Sequence, residues 1–314
     1  MEDIMKAVRY HRYGDSDVLV HEEAERPVPG AGQVLVRVAA TSFNPVDASI
    51  RAGFLREAFP LAFPHTPGID VAGTVAATGP GAGGWREGDA VVAFLPLNGP
   101  GAAAEYVLAP TEALAAAPTA VEPADAAALP AVGLTAWQSL FEHARLSDGQ
   151  RILINGASGA VGGYAVQLAH RAGARVTATA SPGKAERIRA RGADRVLDYT
   201  AAPLTEAADG PYDVVLNLVR TSPEETGDLV GLARDGGVLV STTTEVPEDA
   251  GRGVRTSHVF ARSDADQLAG LVRRVDAGEL RIDVADRRPL ADLAAVHADA
   301  EAGRLPGKTV LLAG

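Results

Sequence analysis

The run Arg151-Ile-Leu-Ile-Asn-Gly-Ala-Ser-Gly-Ala-Val-Gly-Gly163 constrains what this chain can fold into more than any other segment. Its apolar start, Arg151–Ile154, predicts a short strand that leads straight into Gly156-x-x-Gly159-x-x-Gly162. The Ala-rich amphipathic stretch Val161–Ala172 predicts the helix that follows. Glycines permit a tight turn and a close backbone approach to a pyrophosphate, and the helix N-terminus offers unpaired N–H groups and a positive dipole end. The spacing is not the common G-x-G-x-x-G, because Gly156 and Gly159 are three apart rather than two. A glycine pattern alone is weak, and an ordinary Gly-rich bend is the competing reading. Strand, turn and helix in that order favour a dinucleotide site.

The next strand, Arg175–Ala180, ends where a dinucleotide fold chooses between NAD and NADP. An NAD site places an acid there to accept from the ribose 2′-hydroxyl. Here Ala180 and Ser181 are followed by Lys184, with no acid until Glu186. A hydroxyl and an ammonium suit a 2′-phosphate, and no carboxylate stands ready to repel it. Only three of the 29 basic residues are lysines (Lys6, Lys184 and Lys308), so a lysine at this corner is notable in a chain that otherwise uses arginine. A solvated residue in a helix's first turn is the plainer reading of Lys184. NADPH is the expected cofactor.

At 314 residues the chain is long enough for two domains, and 46% hydrophobic content can fill two cores. A formal net charge of −11 argues against nucleic acid or an anionic membrane as partner. The absence of cysteine removes disulfides, thiolate nucleophiles and Cys-containing zinc sites. Met1–Lys6 is acidic and lacks an apolar core segment, and no apolar run approaches the ~18 residues of a membrane span. The expectation is a cytoplasmic protein.

Strands are expected at Lys6–Tyr10, Val18–His21, Val34–Thr41, Val71–Ala77 and Ala90–Leu95, separated by Pro and Gly clusters in the manner of a compact barrel. From Glu122 the texture turns Ala-rich and helical, with Pro130 as a break before a helix over Val132–His143. Strands at 151–154, 175–180, 195–198, 212–217 and 237–242 then alternate with helices, the mark of a doubly wound parallel sheet, and Val254–Phe260 would make a sixth. Beyond it come a helix over Asp264–Ala277, a strand at Arg281–Val284, a helix at Leu290–Ala302 and a strand at Thr309–Leu312. This tail exceeds a six-stranded dinucleotide domain and is expected to pack back on the first. The domains so drawn are 1–125 completed by 262–314, and 126–261.

Barrel first, dinucleotide domain second and a returning tail resemble the medium-chain dehydrogenase/reductase superfamily, and the local motifs resemble its zinc-free quinone oxidoreductase branch. Those motifs are Phe43-Asn-Pro-Val-Asp47, Pro67-Gly-Ile-Asp-Val-Ala-Gly-Thr-Val75, Gly88-Asp-Ala-Val91, Ala128-Leu-Pro-Ala-Val-Gly-Leu-Thr-Ala-Trp137, Gly156 to Gly163, Gly192-Ala-Asp-Arg-Val-Leu-Asp-Tyr199 and Gly307-Lys-Thr-Val310. The resemblance implies a GroES-like barrel joined to a Rossmann domain, an α/β fold. Zinc-dependent relatives carry a Cys where this chain has Asn44, and Gly-His-Glu where it has Gly68-Ile69-Asp70. Their Cys-rich lobe has no counterpart near Leu95–Tyr106, and the seven histidines show no paired metal spacing. No metal is expected.

Carried over by position, the resemblance places Asn44 and Thr135 near the nicotinamide and Ala157, Ser158, Gly159, Ala160, Val161 and Gly162 at the pyrophosphate. It places Ser181, Lys184 and Tyr199 at the 2′-phosphate and adenosine, and Asn217, Val219, Val259, Phe260 and Lys308 along the rest of the groove. Plainer readings stand beside these: Tyr199 as a strand-end aromatic, Thr135 as a helix residue bonding its own backbone, Lys308 as a surface charge, and Asn44 as the cap of a helix. Where many relatives have an acid and a Val-Gly-Gly-like turn, this chain has Asn217-Leu-Val-Arg-Thr-Ser222; where some quinone reductases place tyrosines, it has Ser49 and Leu55.

Without zinc there is no Lewis acid to polarise a simple ketone. Hydride transfer to an electron-poor acceptor remains, a quinone or conjugated enone, with the Asn44 amide, the Thr135 hydroxyl or the nicotinamide ribose as oxyanion donor and Ser49 or solvent as proton source. An enoyl-thioester reductase and a non-enzymatic NADPH-binding structural or sensory protein are the alternatives. Family analogy further implies a homodimer, through the region that follows Gly237–Thr244. Activity is expected to survive dialysis against a strong chelator, and a rate that falls and returns only with zinc would show the ligand reading to be wrong.

Overall fold

The computed structural model describes residues 4–246 and 251–314. Of the amino-terminal stretch, Met1–Asp3 lie outside the described residues. The chain divides into two compact units, Met1–Ala131 with Ser263–Gly314, and Val132–Arg262. Both seams therefore lie later than the sequence texture suggests, at 131/132 and 262/263. The segment from Asp125 to Ala131 is held to the first unit at both ends: Arg287 donates twice to the Asp125 carboxylate, and the Ala131 N–H donates to Asp70 Oδ1 at 2.7 Å.

The first unit opens with β1 (Ile4–Arg9) paired antiparallel to β2 (Val20–Glu25). Its main sheet is built on β3 (Gln33–Ser42), which is followed by the short helix α1 (Pro45–Arg51). Next come β4 (Asp70–Thr78), β5 (Ala90–Phe94), β6 (Tyr106–Pro110) and β7 (Leu114–Ala116). β3 pairs with β4 and β6, β4 with β5, and β5 with β7, all antiparallel. Val34, Val36, Val38, Val71, Val75, Val91 and Val107 fill the interior. Valine suits these positions because its branched side chain packs well on a pleated surface. β6 and β7 escaped the sequence reading because their stretch is Ala-rich; their partners' open edges, not propensity, make them strands.

At the seam, α2 (Pro130–Trp137) opens on Pro130 itself, the last residue but one before the second unit, so this proline starts the helix rather than breaking the chain before it. The following turns widen to π-type over Gln138–His143. Then come β8 (Arg151–Asn155), α3 (Ala160–Arg171), β9 (Arg175–Ala180), α4 (Pro182–Ala190), β10 (Arg195–Asp198), α5 (Leu204–Ala207), β11 (Tyr212–Asn217), α6 (Pro223–Leu232), β12 (Ala233–Ser241) and β13 (Arg255–His258). The six strands lie parallel in the order β10-β9-β8-β11-β12-β13. β8 and β11 are the neighbours at which the order reverses, the place where doubly wound sheets bind ligands.

The chain returns to the first unit through α7 (Ala265–Asp276), β14 (Asp286–Pro289), α8 (Leu293–Glu301) and β15 (Thr309–Leu312). β15 pairs antiparallel to β3, and β14 runs parallel beside β15. The strand expected at Arg281–Val284 is not there. Pairing to β15 sets its place instead, with Ala285 N–H donating to the Lys308 carbonyl at 2.9 Å. Among the described residues no helix is long and apolar enough to cross a membrane.

The tail is tied down by Arg51, whose guanidinium is buried. It donates to the Gly14 carbonyl, to His297 Nδ1 at 3.1 Å and to Glu301. Burial, helped by Arg51, pushes His297 down to about 3, and burial alone pushes His65 down to about 4. Both rings fold neutral and must protonate on unfolding in acid. Their contribution to stability is full above pH 6.5 and is lost as pH falls toward those folded values, by up to about 1.4 kcal/mol per pH unit for each group. Urea midpoints measured between pH 7 and pH 4 should fall, and His297→Gln, which keeps an acceptor for Arg51, should flatten that acid limb. An unchanged limb would show that His297 is not folded as the neutral ring.

Candidate functional site

Two polar assemblies carry the chemistry, one in each unit. In the second, the turn after β8 is a cradle that side chains would fill. Gly156 has φ +90°, and a Cβ there would lie 2.7 Å from Val219 Cγ1. A Cβ on Gly162 would lie 2.4 Å from the Gly156 carbonyl oxygen and 2.5 Å from Ala157 Cα. Only glycine allows α3 to start this close beneath the turn. The Ser158 hydroxyl is buried in this loop with no hydrogen-bond partner, an orphan that a phosphate oxygen would satisfy.

The turn is braced from the side. Thr179 Oγ1 accepts from the Gly156 N–H at 2.9 Å and donates to Asn155 Oδ1, and the Asn155 amide donates to Asn217 Oδ1 at 3.0 Å. These residues end β9, β8 and β11, so the belt crosses the carboxyl ends of the strands at the switch point. Asn217 is therefore fully buried, its amide donating to the Val219 carbonyl at 3.0 Å and Thr221 Oγ1 at 3.2 Å. It shapes the crevice rather than lining it, contrary to the expectation. The acid-free path after β11 is held by hydroxyls: Thr221 Oγ1 lies 2.8 Å from Thr226 Oγ1, and Thr243 Oγ1 donates to the Val219 carbonyl at 2.6 Å. Ala157 and Val259 are likewise buried, so neither is an open contact. Ser158, Gly159, Ala160, Val161, Val219 and Phe260 keep exposed surface, and Gly162 serves by its small size.

At the end of β9, Ser181 starts α4 without capping it through its side chain, leaving its hydroxyl uncommitted by the helix. Lys184 and Tyr199 are exposed. Arg187, missed from sequence, lies one helical turn beyond Lys184 and donates to the Ser158 carbonyl at 3.1 Å. Its signal was the i, i+3 spacing from Lys184, which puts both cations on one face. The corner thus offers two cations and a hydroxyl with no acid at the strand end, which fits a phosphorylated ribose. The cradle, the orphaned Ser158 hydroxyl and this corner together fit a dinucleotide.

In the first unit, Lys308 is buried immediately before β15. Its Nζ donates to Asn44 Oδ1 at 2.7 Å, the Phe43 carbonyl at 3.2 Å and Asp70 Oδ2 at 3.3 Å. Asp70 Oδ2 also accepts from the Ser42 hydroxyl and from Asn44 Nδ2 at 2.8 Å. Asp47 closes the assembly, accepting from the N–H groups of Asn44 at 2.9 Å and Gly68 at 3.2 Å. Burial raises its carboxyl to about 7 despite those two bonds and despite Lys308. Burial also lowers Lys308, against the pull of Asp70 and Asp47.

The comparisons with known proteins agree with this architecture. Residues 30–119 match the family described as alcohol dehydrogenase GroES-like domain, and residues 191–311 that described as zinc-binding dehydrogenase. The chain is 34% identical to a chloroplast envelope quinone oxidoreductase homolog of Arabidopsis thaliana, over 98% of each chain. The chain belongs to the quinone oxidoreductase branch of the medium-chain dehydrogenase/reductase superfamily. It is also 34% identical to an NADPH-dependent alkenal/one oxidoreductase of the same plant, over 98% of this chain and 79% of the other. The structure of a quinone oxidoreductase from Coxiella burnetii superposes with a TM-score of 0.89 at 27% identity, covering 98% and 99% of the two chains.

In this oxidoreductase three of the expected site residues take other parts. Lys308 is neither a surface charge nor a groove residue, because its three protons are all engaged inside the first unit. Asn44 holds the N-cap position of α1, with its backbone N–H donating to Asp47 as in a capping box, and its side chain is engaged in the buried assembly as well. Its amide donates to Asp70 and to the Ser42 carbonyl and accepts from Lys308, so no amide proton is left for an acceptor oxygen. Ser49 turns its hydroxyl back onto the Pro45 carbonyl at 3.2 Å, a bond within its own helix. Thr135 sits half-buried on α2. The Asp70 carboxylate, which the sequence reading used only as evidence against zinc, is the acceptor around which the assembly forms.

Removing one partner of a buried ion pair leaves the other uncompensated, at a cost of ~3–5 kcal/mol. Lys308→Met should lose about that much stability in urea denaturation, and adding Asp70→Asn should recover part of the loss. A single variant within ~0.5 kcal/mol of wild type would remove the pair from any structural role.

Proposed function

We propose that this oxidoreductase reduces quinones or conjugated enones with NADPH. The observation that carries the acceptor class is the Lys308 assembly. Asn44 and Asp70 stand where zinc-dependent relatives are expected to carry Cys and Glu, and an ammonium with its hydrogen bonds occupies their lone pairs. They present no open ligand set, so the acceptor must bring its own electron deficiency. The names of the two plant relatives support the same class of acceptor.

When bound, the reduced nicotinamide supplies the hydride. This chain's own residues bind and orient. The backbone of Ser158–Val161 and the Ser158 hydroxyl would hold the pyrophosphate, and Ser181, Lys184 and Arg187 the 2′-phosphate. Thr135 is the remaining side-chain candidate to steady charge on the acceptor oxygen, with solvent completing the protonation. The Asn44–Asp70–Lys308 assembly positions the start of α1 and contributes no proton of its own. A homodimer and a cytoplasmic location belong to the same proposal; β13 is the edge of the parallel sheet through which a second copy would extend it.

Losing one charge-assisted hydrogen bond to phosphate costs ~1.5–3 kcal/mol, roughly 10- to 150-fold in affinity. Lys184→Ala should weaken NADPH by that order and leave NADH nearly unchanged in direct titrations; an equal loss for both would end the assignment. In NADPH oxidation assays, quinones and small enones should turn over while saturated ketones should not. Preference for an enoyl thioester, or no turnover with any acceptor, would favour the two alternative readings instead.

A further inference from the structure

The outward face of β3 carries a basin of about 700 Å³ within the first unit. Strand register builds its floor. Arg37 stands directly opposite Thr74 on β4 and Tyr106 on β6, so the three side chains form a row across the sheet. The flanking Val36 and Val38 are buried, which leaves Arg37 pointing outward. Arg26, just after β2, lays its guanidinium carbon 3.9 Å from the centre of the Tyr106 ring. Ile4, Ala39 and Ala313 supply apolar wall, and Ile4 is half exposed there.

The charge of this row is unspent. The Arg37 side chain forms no hydrogen bond or ion pair among the described residues. Elsewhere Arg9, Arg51, Arg234, Arg287 and Arg288 each hold a carboxylate. Glu105 and Gly314 also border the basin; Glu105 Oε2 is engaged by the Lys6 N–H at 2.7 Å, and neither residue pairs with the Arg37 side chain. Arg37 thus keeps a planar fork of donors, the shape that a carboxylate matches with two bonds.

We propose that this basin binds an organic carboxylate with a flat apolar body, its acid on Arg37 and its body on Ile4, Ala39, Ala313 and the Arg26–Tyr106 stack. A chain of net charge −11 with Glu105 on the rim disfavours a polyanion, and a bare small anion would leave the apolar wall unused. The site is separate from the Lys308 assembly. Arg37 lies five residues before Ser42 on β3, about 16 Å along the strand.

The probe is 2-naphthoate, titrated by its fluorescence into the full chain, with 2-naphthamide and acetate as its uncharged and bodiless counterparts. Saturable one-to-one binding of naphthoate is expected, with naphthamide and acetate each far weaker. Arg37→Gln should weaken naphthoate roughly 10- to 150-fold, and Arg26→Gln should weaken it as well. Arg37 is exposed, so circular dichroism and the melting temperature of Arg37→Gln should match wild type. Naphthoate that fails to saturate at millimolar concentration, or that binds Arg37→Gln as well as wild type, overturns the proposal. So does naphthamide binding as tightly as naphthoate, or acetate competing at equal concentration.

Discussion

An ammonium and a carboxylate buried together at the start of the last strand set the terms for the first unit. Each ion costs several kcal/mol to take out of water, and the attraction between them repays that only when every remaining lone pair and proton is engaged. Lys308 meets the condition with three acceptors, and Asp70 with three side-chain donors and the Ala131 N–H. Satisfying it forces five segments into register: the end of β3, the start of α1, the start of β4, the start of α2 and the start of β15. A change at any one of them exposes the cost of all.

The second unit solves its problem differently. Its site is made of backbone, and the side chains serve to hold that backbone still. Gly156 and Gly162 permit the close approach, and the Thr179–Asn155–Asn217 belt fixes the strand ends from which the turn departs. Preorganised N–H groups cost no reorganisation when an anion arrives, so on the proposed function an acidic surface is no bar to holding phosphate. The local cations Lys184 and Arg187 act within a few ångströms, where net charge matters little.

The two arrangements together explain the chemistry available. Where an open metal site would polarise an acceptor, this chain has a closed and saturated cluster, so its contribution to reactivity is geometric. On the proposed function, orientation without strong activation would select acceptors that are already electron-poor. Asn44, at the position where relatives are expected to hold zinc, has become a strut between β4 and β15.

What the sequence by itself determined is what neighbouring residues encode: the glycine turn, the alternation of strand and helix from Arg151 to His258, the acid-free end of β9, and the returning tail. These rest on interactions spanning a few residues to a few tens, where turn geometry and hydrophobic period dominate. Only the tertiary structure decided that Lys308 meets Asn44 and Asp70, that Asn217 and Ala157 face inward, and that Ser49 is spent on its own helix. It also decided that an Ala-rich stretch supplies β6 and β7, and that β14 lies at Asp286–Pro289. The reason is common to all of these. A polar group's role depends on which partners burial brings to it, and for Lys308 those partners lie more than 230 residues away along the chain.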